Sequence, residues 1–189
     1  MDNLFDLSSK VAVLTGSTGV LGKSIAKYFA QQGCRMVLLC REKSKPVADA
    51  LVDEIKADGG EAMSLVTDVL STEALEKNLA DILAAYGKID ILLNAAGGNM
   101  DKANVPPTKT IFDMDLDAMK TVVELNIFGT ITPTMVFAKA MVENGGSIIN
   151  FCSESTFRPL TRVAGYGVAK AGVGSWTKWL AAELAIKFP

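Results

Sequence analysis

The stretch VAVLTGSTGVLGKSIAKYFAQQG, residues 11–33, decides the fold of this chain. It opens with four apolar residues, a length typical of a central parallel strand that is covered on both faces. From Val20 the apolar residues recur with the period of a helix, until Gly33 ends the pattern. The segment therefore predicts a strand, a glycine-rich turn and a helix.

The turn between this strand and this helix is a candidate site for a pyrophosphate group. Gly16 would permit the tight turn, Gly19 would let the backbone approach the ligand, and Gly22 would let the helix pack closely on the strand. The free N–H groups at the start of the helix would then face the anion. The alternative is an ordinary strand–helix turn that is rich in glycine. The other residues of the predicted dinucleotide turn are Ser17, Thr18, Val20 and Leu21.

Strand and helix patterns alternate along the rest of the chain. Further strands are predicted at 35–40, 62–66, 89–93 and 147–151, and further helices at 45–57, 71–86, 116–143 and 162–186. This alternation is typical of a doubly wound parallel sheet with helices on both faces, a three-layer α/β/α Rossmann-like fold. We expect a single domain of this kind over residues 1–189.

Composition narrows the possible partners and the possible chemistry. A net charge of −2 gives no basic field for nucleic acid, and no run reaches the roughly 18 apolar residues of a membrane span. We expect a cytoplasmic protein with a small-molecule substrate, and neither nucleic acid nor membrane as partner. The absence of histidine excludes imidazole metal sites and Ser-His-Asp catalysis, and we expect no metal. Cys34, Cys40 and Cys152 are predicted to be buried free thiols.

The ends of the predicted strands are where a ligand should lie. Arg41 follows the second strand, at a corner that holds no carboxylate, and a guanidinium there suits the 2′-phosphate of NADP. We therefore favour NADP over NAD, the alternative being that Arg41 stacks on adenine or faces solvent. Asp68, beside Val69, would accept from the adenine amino group, or else serve as a turn residue. Asn94, Ala95 and Gly97 follow the fourth strand.

A second set of polar residues falls on the same edge of the predicted sheet. Tyr166 and Lys170 are four apart on the last helix and so share one face. Ser153 comes just after the fifth strand, where the alternative is a helix-cap serine. Asn126 is a polar residue in an apolar stretch of the long helix, where the alternative is a local kink. A buried amide needs partners, and we expect active-site waters to supply them.

These motifs together resemble the short-chain dehydrogenase/reductase family over all 189 residues. The turn TGSTGVLG departs from the family's usual pattern because Val20 stands where the middle glycine is expected. This turn, the segment 97–99, and residues 157–162 and 179–181 resemble the D-mannonate oxidoreductase, or fructuronate reductase, subgroup. The motifs that carry the family resemblance are Gly16, Gly19, Gly22, Asn94-Ala95-Ala96-Gly97, Asn126, Ser153, Tyr166 and Lys170.

The resemblance implies hydride transfer between a nicotinamide and a carbonyl or secondary alcohol. Tyr166 would exchange a proton with the substrate oxygen, and Lys170 would stabilise the phenolate and hold the nicotinamide ribose. Ser153 would orient the reacting oxygen. Asn126 would anchor a water that relays the proton to solvent.

The subgroup resemblance implies a sugar acid of the D-mannonate/D-fructuronate type as substrate. Its carboxylate would be held by Arg158 or Arg162, with Asn99 nearby. The alternatives for the arginines are surface salt bridges or a subunit contact. A ketoreductase for a polyol, a steroid or an acyl substrate also fits the family.

Family members usually continue beyond the last helix with two more strands and a segment that covers the substrate. The chain therefore looks C-terminally truncated, which would leave the fifth strand as an exposed edge. The alternative function is then a catalytically incompetent dinucleotide-binding fragment. The family also implies a homodimer or homotetramer, and we expect the apolar faces around Phe137 and Trp176 to form the subunit contact.

Overall fold

The structure is a computed structural model that describes residues 6–188. Contacts between residues divide the chain into two compact units. The first reaches to Ala95 and includes Thr132–Ile149, and the second comprises Ala96–Ile131 and the residues from Asn150 onward. The strands are β1 (Val11–Thr15), β2 (Arg35–Cys40), β3 (Glu61–Val66), β4 (Ile91–Asn94) and β5 (Ser147–Asn150), and the α-helices are α1 (Val20–Gln31), α2 (Lys45–Ala57), α3 (Thr72–Tyr86), α4 (Leu116–Phe137) and α5 (Ala164–Lys187).

The strands form one five-stranded sheet with the order β3-β2-β1-β4-β5. β1 pairs in parallel with β2 on one side and with β4 on the other, and β2 pairs in parallel with β3. The predicted Rossmann-like parallel sheet is confirmed. The strand order reverses between β1 and β4, which is the switch point where ligands of such sheets bind.

The continuous apolar run of β1 is explained by helices on both faces of the sheet. Ala12 and Leu14 belong to one buried cluster together with residues of α1 and α2. Val11 and Val13 belong to a second cluster with residues of α3 and the end of α4. Because neighbouring residues of a strand point to opposite faces, a strand buried on both sides must be apolar at every position.

The glycine turn after β1 is built as predicted, with one difference in what Gly22 contacts. Gly16 has φ of 66°, a conformation that L side chains rarely adopt. A Cβ on Gly22 would lie 2.4 Å from the Gly16 carbonyl oxygen and 2.8 Å from that of Ser17. Gly22 therefore lets α1 pack against the backbone of the turn itself rather than against the strand.

The boundaries of two helices differ from the sequence prediction. The long helix, predicted to reach residue 143, ends at Phe137 and is followed by a 3-10 turn, Ala138–Ala140. The last helix, predicted from residue 162, begins at Ala164. Arg162 cannot be helical because its φ is 72°, in the left-handed region.

One helical stretch, Leu116–Ala140, is long and apolar enough to cross a membrane by length and mean hydropathy (1.3). Polar residues such as Lys120, Glu124 and Asn126 interrupt its apolar residues, so it contains no long continuous apolar run. Half of the stretch is buried inside the protein, and core helices of soluble proteins pass the same test. The composition of this helix is therefore weak evidence for a membrane segment.

Two predictions about buried side chains are wrong. Phe137 is fully buried in the core of the first unit, so it cannot contribute to a subunit contact. Cys34 and Cys40 are buried, as predicted, but Cys152 is exposed because it lies just beyond the end of β5, at the edge of the sheet. Burial raises the pKa of the Cys34 thiol to about 12.

Trp176 is half-buried and packs on Trp179 with ring centroids 5.2 Å apart.

Asp90 joins the beginnings of β1 and β4. Its carboxylate accepts from the Val11 N–H at 2.9 Å and from Lys88 and Lys10 at 3.2 and 3.4 Å. The Asp90 N–H donates in return to the Val11 carbonyl at 2.9 Å. Burial alone would raise the pKa of Asp90, but the hydrogen bonds from Val11, Lys88 and Lys10 outweigh it and lower the pKa.

We expect Asp90→Asn to reduce the free energy of unfolding at pH 7 by about 1–2 kcal/mol, because it removes a charged acceptor. Since the pKa of Asp90 is lower in the folded state, its contribution is present above the unfolded pKa, near 3.9, and is lost as the pH falls through the folded value. Urea titrations at pH 7 and pH 3 test this, with exposed Asp53→Asn as control. An equal loss of stability at both pH values would contradict it.

Alanine substitutions at Gly22 and Gly19 should have different effects on stability. Gly22→Ala should lower the free energy of unfolding by about 1–3 kcal/mol, because its Cβ meets two backbone oxygens that cannot move independently. Gly19→Ala should leave stability nearly unchanged, since φ is −71° there and its Cβ would lie 3.4 Å from the Gly16 oxygen. Thermal and urea unfolding of both variants measure the difference, and equal losses would contradict the packing argument.

Candidate functional site

The turn between β1 and α1 is held by its own backbone and by Ser17. The Gly19 N–H donates to the Gly16 carbonyl at 3.1 Å. Ser17 is buried, and its hydroxyl donates to the Leu39 carbonyl at 3.0 Å, which ties the turn to β2. Ser17 therefore supports the turn from below, while half-buried Thr18 and exposed Gly19 form its surface.

The beginning of α1 is open to an anion. No side chain caps the helix at Gly19, and its first turn holds no acidic residue. Val20 and Leu21 are 87% and 65% exposed, which is unusual for apolar residues at a helix start. The N-terminal N–H groups and the positive end of the helix dipole favour a phosphate at such a place. These residues fit the pyrophosphate of a dinucleotide.

The predicted adenosine residues lie at the ends of β2 and β3. Arg41 is exposed and comes directly after β2, where its carbonyl accepts from the Ser44 N–H at 2.8 Å. Asp68 is exposed and accepts from the Leu70 N–H at 3.0 Å, so it has the turn role that was the alternative. Val69 is half-buried beside it. The sequence reasoning missed Thr67, whose buried hydroxyl has no hydrogen-bond partner within residues 6–188.

Asn94 and Ala95 are fixed where β4 ends. Asn94 is buried, and its amide donates to the Thr134 hydroxyl of α4 at 2.9 Å. The Ala95 N–H donates to the Thr15 hydroxyl at 3.1 Å, which joins the ends of β4 and β1. Thr15 and Thr134 are buried polar residues that the sequence reasoning did not select. A threonine at the last position of a buried strand was the available signal for Thr15.

In the second unit, Asn126 binds the loop that follows β4. Its amide nitrogen donates to the carbonyls of Gly98 and Val122 at 2.7 and 2.8 Å, and its oxygen accepts from the Gly98 N–H at 3.2 Å. The expectation that waters satisfy this amide is wrong, because the backbone uses both amide hydrogens. A water could bind the Asn126 side chain only through its oxygen.

Gly97 allows this close approach. Its φ is 155°, and a Cβ there would lie 2.6 Å from the Asn126 oxygen and 3.6 Å from the Lys170 Nζ. The loop, Asn126 and Lys170 therefore meet at one place in the second unit. Any side chain at position 97 would fill it.

Lys170 is a buried cation at the centre of this group. It is 5% exposed, and its ammonium donates to the Phe151 carbonyl at 2.7 Å. Its Nζ lies 5.7 Å from the centroid of the Tyr166 ring. Burial lowers the pKa of Lys170, while nearby Cys152 raises it slightly. The tyrosine is half-buried and packs against a small apolar cluster, Ala103, Ala118 and Val122.

Ser153 stands at the start of the 3-10 turn Glu154–Thr156. Its hydroxyl oxygen accepts from the Ser155 N–H at 3.2 Å, which is the cap role that was the alternative. The hydroxyl hydrogen is not used by this bond and can donate to a ligand. The Thr156 hydroxyl donates to the Lys170 carbonyl at 3.1 Å, so this turn and α5 are fixed together.

The predicted substrate residues differ in their surroundings. Arg158 pairs with Glu154 at 2.8 Å, and both side chains are largely exposed. Arg162 holds a left-handed conformation (φ 72°), which costs about 1–2 kcal/mol for a residue with a Cβ. Exposed Asn99 donates to the Asn104 side chain at 2.7 Å.

Together these groups place a phenol, a cation and a hydroxyl in one unit. A phenol can exchange a proton with a bound oxygen, and an ammonium can donate hydrogen bonds to a neighbouring ligand. A serine hydroxyl can orient that oxygen. The first unit supplies the open helix start that suits a dinucleotide.

Comparison with known proteins agrees with this description. The short chain dehydrogenase family matches residues 10–187 of the chain. An uncharacterized oxidoreductase of Bacillus subtilis strain 168, UxuB, is 35% identical over 189 aligned positions, which cover 95% of this chain and 67% of that protein.

Two solved structures have the same fold. A Haemophilus influenza protein provisionally named a D-mannonate oxidoreductase, solved with bound NAD, is 35% identical with a TM-score of 0.87, over 95% of this chain and 68% of that one. A metagenomic short-chain oxidoreductase in complex with NADP is 31% identical with a TM-score of 0.83, over 95% of this chain and 78% of that one.

The chain thus spans about two thirds of the length of UxuB and of the Haemophilus protein. Its sheet order and glycine turn are those of a dinucleotide-binding fold. Since the family match runs over nearly all of its residues, the chain belongs to the short chain dehydrogenase family.

Proposed function

We propose that this protein is an oxidoreductase that transfers hydride between a nicotinamide dinucleotide and a carbonyl or secondary alcohol. The observation that supports this most directly is the buried Lys170 ammonium, 5.7 Å from the Tyr166 ring centroid and held by the Phe151 carbonyl. A buried cation without a carboxylate partner is costly, and such groups concentrate at functional sites.

Tyr166 is the acid/base in this proposal. The dinucleotide supplies or accepts the hydride when it is bound. In the reductive direction Tyr166 gives its phenolic proton to the substrate oxygen, and in the oxidative direction it takes that proton back. Lys170 stabilises the phenolate that remains. Ser153 donates its free hydroxyl hydrogen to the same oxygen and orients it.

Lys170 and Asn126 have further proposed roles. An ammonium has three N–H donors, and one of those of Lys170 is directed to Phe151. The others can bind the hydroxyls of the nicotinamide ribose. The Asn126 oxygen retains capacity for a water, which would receive the proton from Lys170 and pass it to solvent. Its amide hydrogens position the loop at Gly98 instead.

The dinucleotide would lie along the open edge of the first unit. The turn from Gly16 to Leu21 and the start of α1 would hold the pyrophosphate. Asp68 and Val69 would contact adenine, and Asn94, Ala95 and Gly97 the nicotinamide half. The structure of the provisionally named D-mannonate oxidoreductase has NAD bound and the metagenomic relative has NADP, which supports a pyridine nucleotide without deciding between them.

We propose a preference for NADP on the basis of Arg41. It is exposed at the end of β2, where a guanidinium can pair with a 2′-phosphate. No ion pair engages Arg41 within residues 6–188. The neighbouring Glu42 works in the opposite direction, because it would repel that phosphate.

The proposed substrate is a sugar acid of the D-mannonate/D-fructuronate type. The provisional name of the Haemophilus relative supports this choice, as do the two arginines between β5 and α5. A polyol, steroid or acyl ketoreductase is the alternative within the same chemistry. A fragment that binds dinucleotide without turnover is the alternative outside it.

We propose a cytoplasmic homodimer or homotetramer. Exposed apolar side chains on the last helix support a subunit contact near Trp176, including Trp179, which is 56% exposed. Phe137 is not part of this proposal. Sedimentation velocity of the purified chain would measure the oligomer directly.

Tyr166→Phe tests the acid/base assignment. It removes the transferable proton and keeps the ring that packs on α4, so kcat should fall about 100-fold or more while folding and cofactor binding are unchanged. The measurement is NADPH oxidation with D-fructuronate, together with a fluorescence titration of NADPH. Exposed Tyr28→Phe is the matched control. Full activity of the Tyr166 variant would refute the assignment.

Arg41→Ala tests the cofactor preference. Loss of one charge-assisted contact should weaken NADPH binding about tenfold and leave NADH binding unchanged. Parallel fluorescence titrations with the two dinucleotides measure this, with exposed Lys43→Ala as the neighbouring control. If wild type binds NADH more tightly and Arg41→Ala alters neither affinity, NAD is the cofactor.

A further inference from the structure

The second unit contains a cavity of about 460 Å³ between the loop that precedes α4 and the segment that leads into α5. Val105, Ile111 and Met114 line it from the first side. Pro159, Leu160 and Val163 are among the residues on the second side. Its lining is apolar except for Ser155 and Arg162. A cavity of this size and composition suits a small organic molecule with one polar end.

Two residues that line the cavity are close in sequence to the proposed catalytic residues. Gly167 lines it, immediately after Tyr166. Gly167 is also three residues before Lys170 on α5, and positions three apart are neighbours on a helix surface. Ser155, on the other wall, is two residues after Ser153. Tyr166, Lys170 and Ser153 are not among the lining residues, so a substrate that reaches both places would have one end in the cavity and its reacting carbon outside it.

Arg162 is held in place by its backbone. Its φ of 72° is unfavourable for a residue with a Cβ, and a glycine there would remove the strain. Its carbonyl accepts from the Val105 N–H at 2.9 Å, which joins the two walls of the cavity. Strained residues persist where the surrounding structure fixes them, and they cluster at ligand sites.

The guanidinium of Arg162 is available for a ligand. It makes no ion pair within residues 6–188, whereas Arg158, four residues earlier, is paired with Glu154 at 2.8 Å. Arg158 also does not line the cavity. The two arginines were equivalent candidates by sequence, and their surroundings separate them.

Ser155 is the second polar group of the lining. It is 9% exposed, and its hydroxyl has no hydrogen-bond partner among the residues that the structure describes. Buried hydroxyls are normally satisfied, and a rotation of the Ser155 side chain would turn this one from the interior toward a ligand in the cavity.

We infer that this cavity takes the carboxylate end of the substrate, a hydroxy acid or oxo acid, and that Arg162 is the specificity-determining residue. The planar guanidinium binds a carboxylate through two parallel hydrogen bonds. The apolar walls contact the C–H faces of the carbon chain, and exposed Arg162 holds the charged end. A neutral analogue would lose the two charge-assisted hydrogen bonds, so it should bind more weakly. The inference rests on the proposed function.

A measurement of ligand binding, not of turnover, tests this inference about Arg162. The full chain is titrated calorimetrically with D-fructuronate and with D-fructose, its neutral counterpart, in the presence of NADP⁺, which cannot reduce either ketone. We expect the acid to bind at least tenfold more tightly than the neutral sugar. Arg162→Ala and Arg162→Gly should weaken binding of the acid by about 10- to 100-fold. Their affinity for the neutral sugar should equal that of wild type.

Three further variants make the assignment specific. Arg158→Ala should bind the acid like wild type. Arg162→Lys should fall between wild type and Arg162→Ala, because a lysine keeps the charge and loses the planar fork. Ser155→Ala should weaken binding of the acid a few-fold. It should not lower the melting temperature, because the Ser155 hydroxyl has no hydrogen-bond partner in the described structure to lose.

Thermal unfolding separates recognition from folding. Arg162→Gly should melt at a higher temperature than Arg162→Ala, because glycine relieves the left-handed strain. The inference is supported if Arg162→Gly is stably folded but no longer binds the acid with wild-type affinity. Equal binding of the acid by wild type, Arg162→Ala and Arg162→Gly overturns it, as does absence of acid binding by wild type or equal binding of acid and neutral sugar.

Failure of the proposed function has a different signature. It would appear as no binding of NADPH or NADH, or as full activity of Tyr166→Phe. Acid binding that depends on Arg162 would in that case still support the carboxylate site.

Discussion

The second unit is organised around the burial of one positive charge. The Lys170 ammonium is removed from water without an ion-paired carboxylate in the described structure, and it donates to the Phe151 carbonyl oxygen at 2.7 Å. That oxygen is available because β5 ends at Asn150, so the carbonyl of Phe151 is not used in the sheet. Asn126 and the glycine at position 97 lie around the same ammonium, since a Cβ on Gly97 would be 2.6 Å from the Asn126 oxygen and 3.6 Å from the Lys170 Nζ. The ammonium lies 5.7 Å from the centroid of the Tyr166 ring, so the buried charge and the phenol are neighbours in the second unit.

Residues selected as ligand contacts also hold the protein backbone. Ser17 ties the glycine turn to β2, Asn94 ties β4 to α4, and Ser153 caps a short turn. These bonds do not compete with the proposed roles, because hydroxyl and amide groups can make more than one hydrogen bond. They fix each group before a ligand arrives, which lowers the cost of ordering it on binding.

The architecture was predictable from the sequence because it depends on local patterns. The apolar run of β1, the change of period at Val20 and the alternation of elements follow directly from burial and helix geometry. The glycine turn was predictable for the same reason, although the atoms that Gly22 contacts were not.

The surroundings of Asn126 could not be predicted, because its partner at Gly98 lies 28 residues away. The start of α5 was misplaced because nothing in the sequence marks Arg162 as left-handed. Phe137 and Cys152 were misjudged because an apolar or thiol side chain does not reveal which side of a helix or strand end is covered.

The exposure of Cys152 has a practical consequence. The other two thiols are buried, and burial raises the pKa of both, so neither forms a thiolate readily near neutral pH. Cys152 is thus the one cysteine of the chain that a maleimide dye should reach in the folded protein. It directly precedes Ser153 in the chain. The protein therefore carries a natural attachment point for a fluorescent reporter beside the group of residues around Lys170, with no need to introduce a cysteine or remove one.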